Sequence, residues 1–243
     1  MAFGFTSIND SGYTQIDQDF TNLSFKQKFN VSNITASAFY IMSGFEISAN
    51  SNMIYWVVDY QNTSNSVIAV KAPNGRAVAP ISLINETNSR TPPPSGYKRA
   101  IFCSGGTTAA TLTVYQFDSL PTTVPSNSFG MVIRNASNQI VFNSNYPPIR
   151  IVHGATLSGA TEGQNFAVTS SNSYAFVFCN PSGGVYYPSS TTARPARISG
   201  FNQTSTTNVS VSYAPHYNIG GVAASGLVDY NPAPGLIVNV TNL

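Results

Sequence analysis

The sequence predicts an all-β fold: two tandem antiparallel β-sandwich domains, each opened by a similar β-hairpin. Three observations carry that expectation. The 243 residues include 15 Phe and 13 Tyr among 42% hydrophobic positions, and Thr, Val and Ile are plentiful, all side chains that suit a pleated, half-buried strand. No window repeats apolar residues with the 3.6-residue period of a helix. Strand-like runs instead recur every roughly 8 to 12 residues, as they do in sandwiches, punctuated by 18 Gly and 15 Pro.

The tandem arrangement rests on a phrase that occurs twice. Gly4 to Phe20, GFTSINDSGYTQIDQDF, aligns without a gap to Gly130 to Tyr146, GMVIRNASNQIVFNSNY. Gly4 matches Gly130, Asn9 matches Asn135 and Ser11 matches Ser137, while Phe5 meets Met131, Ile16 meets Phe142 and Phe20 meets Tyr146. Asn-Asp-Ser-Gly and Asn-Ala-Ser-Asn are both turn tetrapeptides whose last residue tolerates a positive φ, and each lies between short runs of strand formers. Each copy therefore predicts a hairpin that opens a domain.

Taken in order, Leu23 to Val31 alternates Phe25, Phe29 and Val31 with Ser24, Lys26, Lys28 and Asn30, the pattern of a half-buried strand. Ala36 to Met42 and Met53 to Tyr60, the second holding the single tryptophan, Trp56, read as central sandwich strands. Val67 to Ala72, the turn signal Pro73-Asn74-Gly75 and Ala77 to Ile84 predict a further hairpin. Asn85 to Gly96, with Pro92, Pro93 and Pro94, is an exposed loop. Tyr97 to Cys103 and Thr111 to Phe117, joined through Ser104-Gly105-Gly106, close the first domain. Ser119 to Ser128, SLPTTVPSNS, has a linker's composition. The expected division is 1–120, a linker at 121–128, and 129–243. Strands follow at 139–142, 148–154, 165–169, 174–179, 196–201 and 208–214, and the chain finishes on the apolar run GLIVNVTNL.

Charge narrows the function classes. Charged residues are only 8% of the chain, against about 25% in ordinary globular proteins, and Asn, Ser and Thr fill 78 positions. Amides and hydroxyls must therefore wet the surface. A net charge of +2, with no basic cluster longer than two residues, offers no footprint for nucleic acid. The first residues carry neither a basic region nor an apolar run of signal-peptide length, and no segment is apolar enough for a membrane helix. Synthesis in the cytoplasm without a signal peptide, and no membrane insertion, are the expectations.

Catalytic chemistry has little to work with. His153 and His216 are the only histidines, and neither lies near a nucleophile signature. Asp17 and Asp19 form the one close carboxylate pair, yet the repeat replaces them with Asn143 and Asn145, so a turn or strand-end role explains both copies. Cys103 and Cys179 each end an aromatic strand and read as small buried hydrophobes. No metal or cofactor motif occurs, and no enzyme is expected. The segment with a binding composition is Tyr186-Tyr187-Pro188 followed by Arg194 and Arg197, which could stack on a sugar or dock on a partner. The proline loop at 92–94, near Lys98 and Arg99, is a second contact candidate.

Tyr115, Phe117, Gly130, the turn from Asn135 to Asn138 and Val141-Phe142-Asn143-Ser144 follow one another in a passage that resembles a module of tailed-bacteriophage structural proteins. The opening MAFGFTSINDSGYTQID is similar to the N-termini of tail-tip and tail-fibre-associated proteins of that class. This resemblance implies a non-enzymatic virion protein of the tail apparatus, made in the host cytoplasm, that assembles with itself and with other virion proteins and touches a host-surface glycan or protein receptor. A carbohydrate-binding adhesin module and a head decoration protein are the alternatives.

Overall fold

The computed structural model describes residues 6–8, 14–17, 22–34, 40–42, 45–47, 53–61, 63, 65–73, 76–82, 93–106, 108–123, 129–157, 164–179, 183–185, 194–203, 205, 207–219 and 233–243. Among the described residues the regular structure is all β-strand. The first half of the chain gives β1 Thr6–Ile8, β2 Thr14–Asp17, β3 Ser24–Ser32, β4 Tyr40–Met42, β5 Phe45–Ile47, β6 Met53–Gln61, β7 Val67–Lys71, β8 Ala79–Ser82, β9 Tyr97–Gly105 and β10 Thr111–Asp118. The second gives β11 Val132–Arg134, β12 Ile140–Asn143, β13 Ile151–Leu157, β14 Gln164–Ala167, β15 Tyr174–Phe178, β16 Gly183–Val185, β17 Arg194–Asn202, β18 Asn208–Ile219 and β19 Ala233–Asn239. The expected all-β, antiparallel class is the one that forms.

Both hairpins of the repeated phrase are present, and their ladders match residue for residue. In the first, Thr6 faces Asp17, Ser7 faces Ile16 and, after a bulge, Ile8 faces Thr14. In the second, Val132 faces Asn143, Ile133 faces Phe142 and, after a bulge at the same place, Arg134 faces Ile140. Every partner in one ladder is its counterpart in the other shifted by 126 positions. The turn of the second hairpin uses the chemistry its sequence announces. Asn138 sits at φ 63°, and the Asn135 side-chain oxygen accepts from the N–H groups of Ser137 and Gln139 at 3.0 and 2.9 Å.

The duplication extends to the rest of each half. A large sheet runs β13-β19-β15-β7-β10-β3, and smaller sheets run β6-β9-β8 and β14-β18-β17-β16. In each half, then, a hairpin is followed by an outer strand of the large sheet (β3 or β13), a strand of a small sheet (β6 or β14) and an inner strand of the large sheet (β7 or β15). Two adjacent small-sheet strands come next (β8 and β9, or β17 and β18), and the last strand (β10 or β19) returns between the first two of the large sheet. Among the described residues the β4–β5 pair and β16 have no counterpart in the other half.

Backbone junctions fuse the halves. In the large sheet β7 pairs with β15 at Val70 and Phe176. Between the small sheets, Val78 and Phe201 exchange both backbone hydrogen bonds at 2.8 Å. The large sheet also closes on itself. Ser24 bridges Pro148, the N–H of Phe25 donates to the Pro147 carbonyl at 2.7 Å, and that of Ile149 donates to the Leu23 carbonyl at 2.8 Å. Leu23 and Ile149 are themselves counterparts at the 126-residue shift, so equivalent segments seal the ring against each other.

Alternation of side chains sorts this sheet into two apolar faces. Ile68, Val70, Leu112, Val114, Tyr174, Phe176 and Ile237 pack against Trp56, Phe102, Val78 and Phe201 of the small sheets. Ala69, Tyr115, Phe117, Ala175, Val177 and Val238 face the interior of the closed sheet, with Leu23, Phe25 and Ile149. Trp56, Phe102 and Phe201 are fully buried, and each such side chain contributes roughly 1.5–3 kcal/mol of transfer free energy.

Two expectations need correction. The halves 1–120 and 129–243 do not hold separate cores, because β7 and β15 hydrogen-bond and one hydrophobic cluster spans both. The Pro73-Asn74-Gly75 turn does not make a hairpin. The Arg76 N–H donates to the Pro73 carbonyl at 3.1 Å, but the chain passes from β7 in the large sheet to β8, which pairs with β9. Of the central strand expected at 36–42, Tyr40–Met42 is a strand that pairs with β5 among the described residues, and 36–39 lie outside them.

Candidate functional site

A cavity of about 510 Å³ opens where β10 ends and β3 begins, lined by Phe25, Lys26, Thr63, Asp118, Thr122 and Tyr146 among others. Asp118 is its chemical centre. It is the last residue of β10, opposite Ser24 of β3, and only 5% exposed. Its Oδ2 accepts from the Thr63 hydroxyl at 2.5 Å and from the Ser66 hydroxyl at 3.0 Å, and Oδ1 accepts from the Ser119 N–H at 2.7 Å. The Lys26 ammonium stands 3.5 Å from Oδ2. Burial alone pushes this carboxyl's pKa up, but the donors from Thr63, Ser119 and Ser66, aided by Lys26, outweigh it and hold the group below the usual carboxylate range.

The polar network continues behind the carboxylate. Gln116 is fully buried; its amide donates to the Ser66 hydroxyl at 3.1 Å and to the Gln61 carbonyl at 3.3 Å, and its oxygen accepts from Gln27 at 2.8 Å. β3, β10 and the β6–β7 connection are thereby tied to one point. A carboxylate held ionised by three hydrogen bonds and a nearby ammonium is a poor proton carrier near neutrality. The arrangement suits holding three chain segments together, and its half-buried Phe25 and Tyr146 with nearby hydroxyls suit contact with a polar ligand that has an apolar face.

The residues picked out from the sequence are distributed differently. Tyr186 and Tyr187 lie outside the described residues. Arg194 and Arg197 lie on β17, facing Ile219 of β18 and Gly184 of β16 in backbone register. In the proline loop, 92 is outside the described residues, whereas Pro94, Ser95 and Gly96 are exposed. Arg99, read as part of a contact surface there, is instead buried and bonded twice to Asp59, each at 2.7 Å. The ring of His153 contacts the Ala167 carbonyl at 3.1 Å and lies beside Phe166. His216 is on β18, Asp17 ends β2 facing Thr6, and Asp19 falls outside the described residues. Cys103 is buried as expected; Cys179 is exposed, because the chain leaves β15 one residue earlier. Among the described residues no three of His, Cys, Asp and Glu gather as metal ligands would.

Sequence reasoning missed Asp118. Its partners come from positions 26, 63, 66 and 119, so the one local signal was a carboxylate directly after a run of apolar alternation. Comparison with protein-family models, curated proteins and solved structures finds no match.

Proposed function

We propose that this chain is a non-enzymatic structural protein of a tailed-phage virion, belonging to the tail apparatus, where it assembles with further copies and with other virion proteins and meets the host surface. The observation that carries the reading is the hairpin of Val132–Asn143. It is the part of the chain that resembles phage structural modules, and it occurs twice with one ladder. Assembly is further supported at the entrance to that hairpin, where Phe129 is 96% exposed and Met131 47% exposed, apolar surface suited to a protein partner. The ionised Asp118, holding three hydrogen bonds, reads as a structural knot and favours scaffold over catalyst.

Purified particles probed by mass spectrometry and immunogold labelling test this directly. Label on the tail is the expected result, label on the head would move the protein to a decoration role, and absence from particles overturns the reading. A second reading, a glycan-binding adhesin module, is favoured by the cavity with Phe25, Tyr146 and Asp118. Glycan-array binding that disappears in Tyr146→Ala would support it, and binding lost only in Tyr186→Ala with Tyr187→Ala would place it in the segment after β16.

A further inference from the structure

We propose that the outer edge of β13 pairs with the same edge of a second copy of this chain, joining two large sheets through an antiparallel β13–β13 ladder. Among the described residues, the large sheet is sealed where Leu23 and Phe25 meet Ile149 and Pro147. That junction is antiparallel, so β3 leaves it toward one end of the sheet and β13 toward the other. Neither covers the other's edge. Among the described residues, 26–32 pairs only with β10, and β13 pairs only with β19. Each therefore keeps a row of backbone donors and acceptors on its outer side.

The two edges are copies of one strand that differ in what guards them. Both carry a bulge at the same place, Lys26 in β3 and Val152 in β13, positions that correspond at the 126-residue shift. Bulges and lysines are the usual means by which an exposed edge refuses other strands. β3 has both, with Lys26 and Lys28 exposed. In β13 the lysines are replaced by Val152 and Gly154, and Ile151 and Val152 stand 55% and 40% exposed. The fold does not demand Gly154, because a Cβ there meets nothing within 4 Å and its φ lies outside the left-handed region. A strand glycine without such a need leaves room for another backbone.

Charge identifies the occupant. A symmetric antiparallel pair centred on Gly154 sets Ile151 opposite Leu157 and Val152 opposite Thr156, and β13 holds no Lys, Arg, Asp or Glu to oppose it. The matching pair of β3 strands would be centred on Lys28 and set that lysine against its own copy, a destabilising contact between like charges. One edge rejects itself and the other accepts itself. A single strand pair buries less than the roughly 1,200 Å² of a standard interface, so the dimer is expected to be reversible. The inference rests on the self-assembly in the function proposed above and not on the virion, since absence from particles would overturn the address alone.

The test is sedimentation equilibrium of the full chain from about 5 to 500 µM, with hydrogen exchange measured at both ends of that range. A concentration-dependent dimer is expected, with exchange slowing at 151–155 on concentration and unchanged at 26–32. Val152→Lys and Gly154→Lys, which install the residues of the other half, should each raise the dissociation constant at least about tenfold, while far-UV circular dichroism and melting temperature stay as in the wild type. Ser32→Lys, on β3, should leave the dimer unchanged. If a variant's melting temperature falls, the exchange pattern of the wild type decides alone. A protein that is monomeric throughout the range, a dimer indifferent to both β13 lysines, or protection at 26–32 rather than 151–155 overturns the proposal.

Discussion

At the scale of single residues, Asp118 shows how a carboxylate can matter without reacting. Because its folded pKa is lowered, the stability it contributes is fully present above its unfolded pKa of about 3.9 and is lost as pH falls through the lower folded value. Asp118→Asn should therefore cost about 1.5–3 kcal/mol near neutrality, and urea midpoints between pH 6 and 3 should fall less steeply than in the wild type. An equal slope in both proteins would mean that other carboxylates carry the acid sensitivity. Gly130 is a second such position. Its φ is 152° and a Cβ there would run into the Ser144 hydroxyl, which accepts from the Met131 N–H at 2.9 Å. Gly130→Ala should destabilise by about 1–3 kcal/mol in thermal denaturation. The glycine was legible in the repeated phrase, whereas Asp118 was not, since nothing local records that Thr63 and Ser66 will arrive beside it.

At the scale of elements, runs of strand formers were a dependable guide, whether alternating as in Leu23 to Val31 or continuously apolar as in Met53 to Tyr60. Leu23 to Val31, Met53 to Tyr60 and Val67 to Ala72 became β3, β6 and β7 with little change at their ends. The errors came from connections. Pro73-Asn74-Gly75 has hairpin chemistry, but a turn signal says only that the chain reverses, not which sheet receives it. The Asn135–Asn138 turn can be tested on its own terms. Asn138→Gly should leave the melting temperature nearly unchanged, whereas Asn138→Val, a β-branched residue forced to φ 63°, should cost about 1–2 kcal/mol. Across β6 and β9, Asp59 and Arg99 face each other directly in the ladder. This pair is part-buried, so Asp59→Asn should lose about 1–3 kcal/mol, between the exposed and buried limits, when measured by chemical denaturation.

At the scale of the whole molecule, the halves should stand or fall together. Trp56, the single tryptophan, is in the first half, and Phe176, in the second, belongs to the same hydrophobic cluster. Phe176→Ala should lower stability by about 3–5 kcal/mol and move the unfolding transition reported by Trp56 fluorescence just as far as that reported by far-UV circular dichroism. A Trp56 transition that stayed in place would mean two independently folding units. The repeat itself could be read from the sequence because a hairpin writes its turn locally. The fusion of the sheets could not, because the bond partners Ser24 and Pro148, or Val78 and Phe201, leave no mark on each other's neighbourhood in the chain.

That fusion has a consequence for how the protein is made. While the ribosome adds the roughly 100 residues between β7 and β15, on the order of 5–20 s of translation, β7 waits without β15 on one side, and the segment entering β8 waits without Phe201. Those edges are complementary to the matching strands of the second half, so on a crowded polysome the nearest suitor can belong to a neighbouring nascent chain. Exchange between molecules, with one chain's second half completing another's first, is then the specific error that synthesis of this protein must outrun.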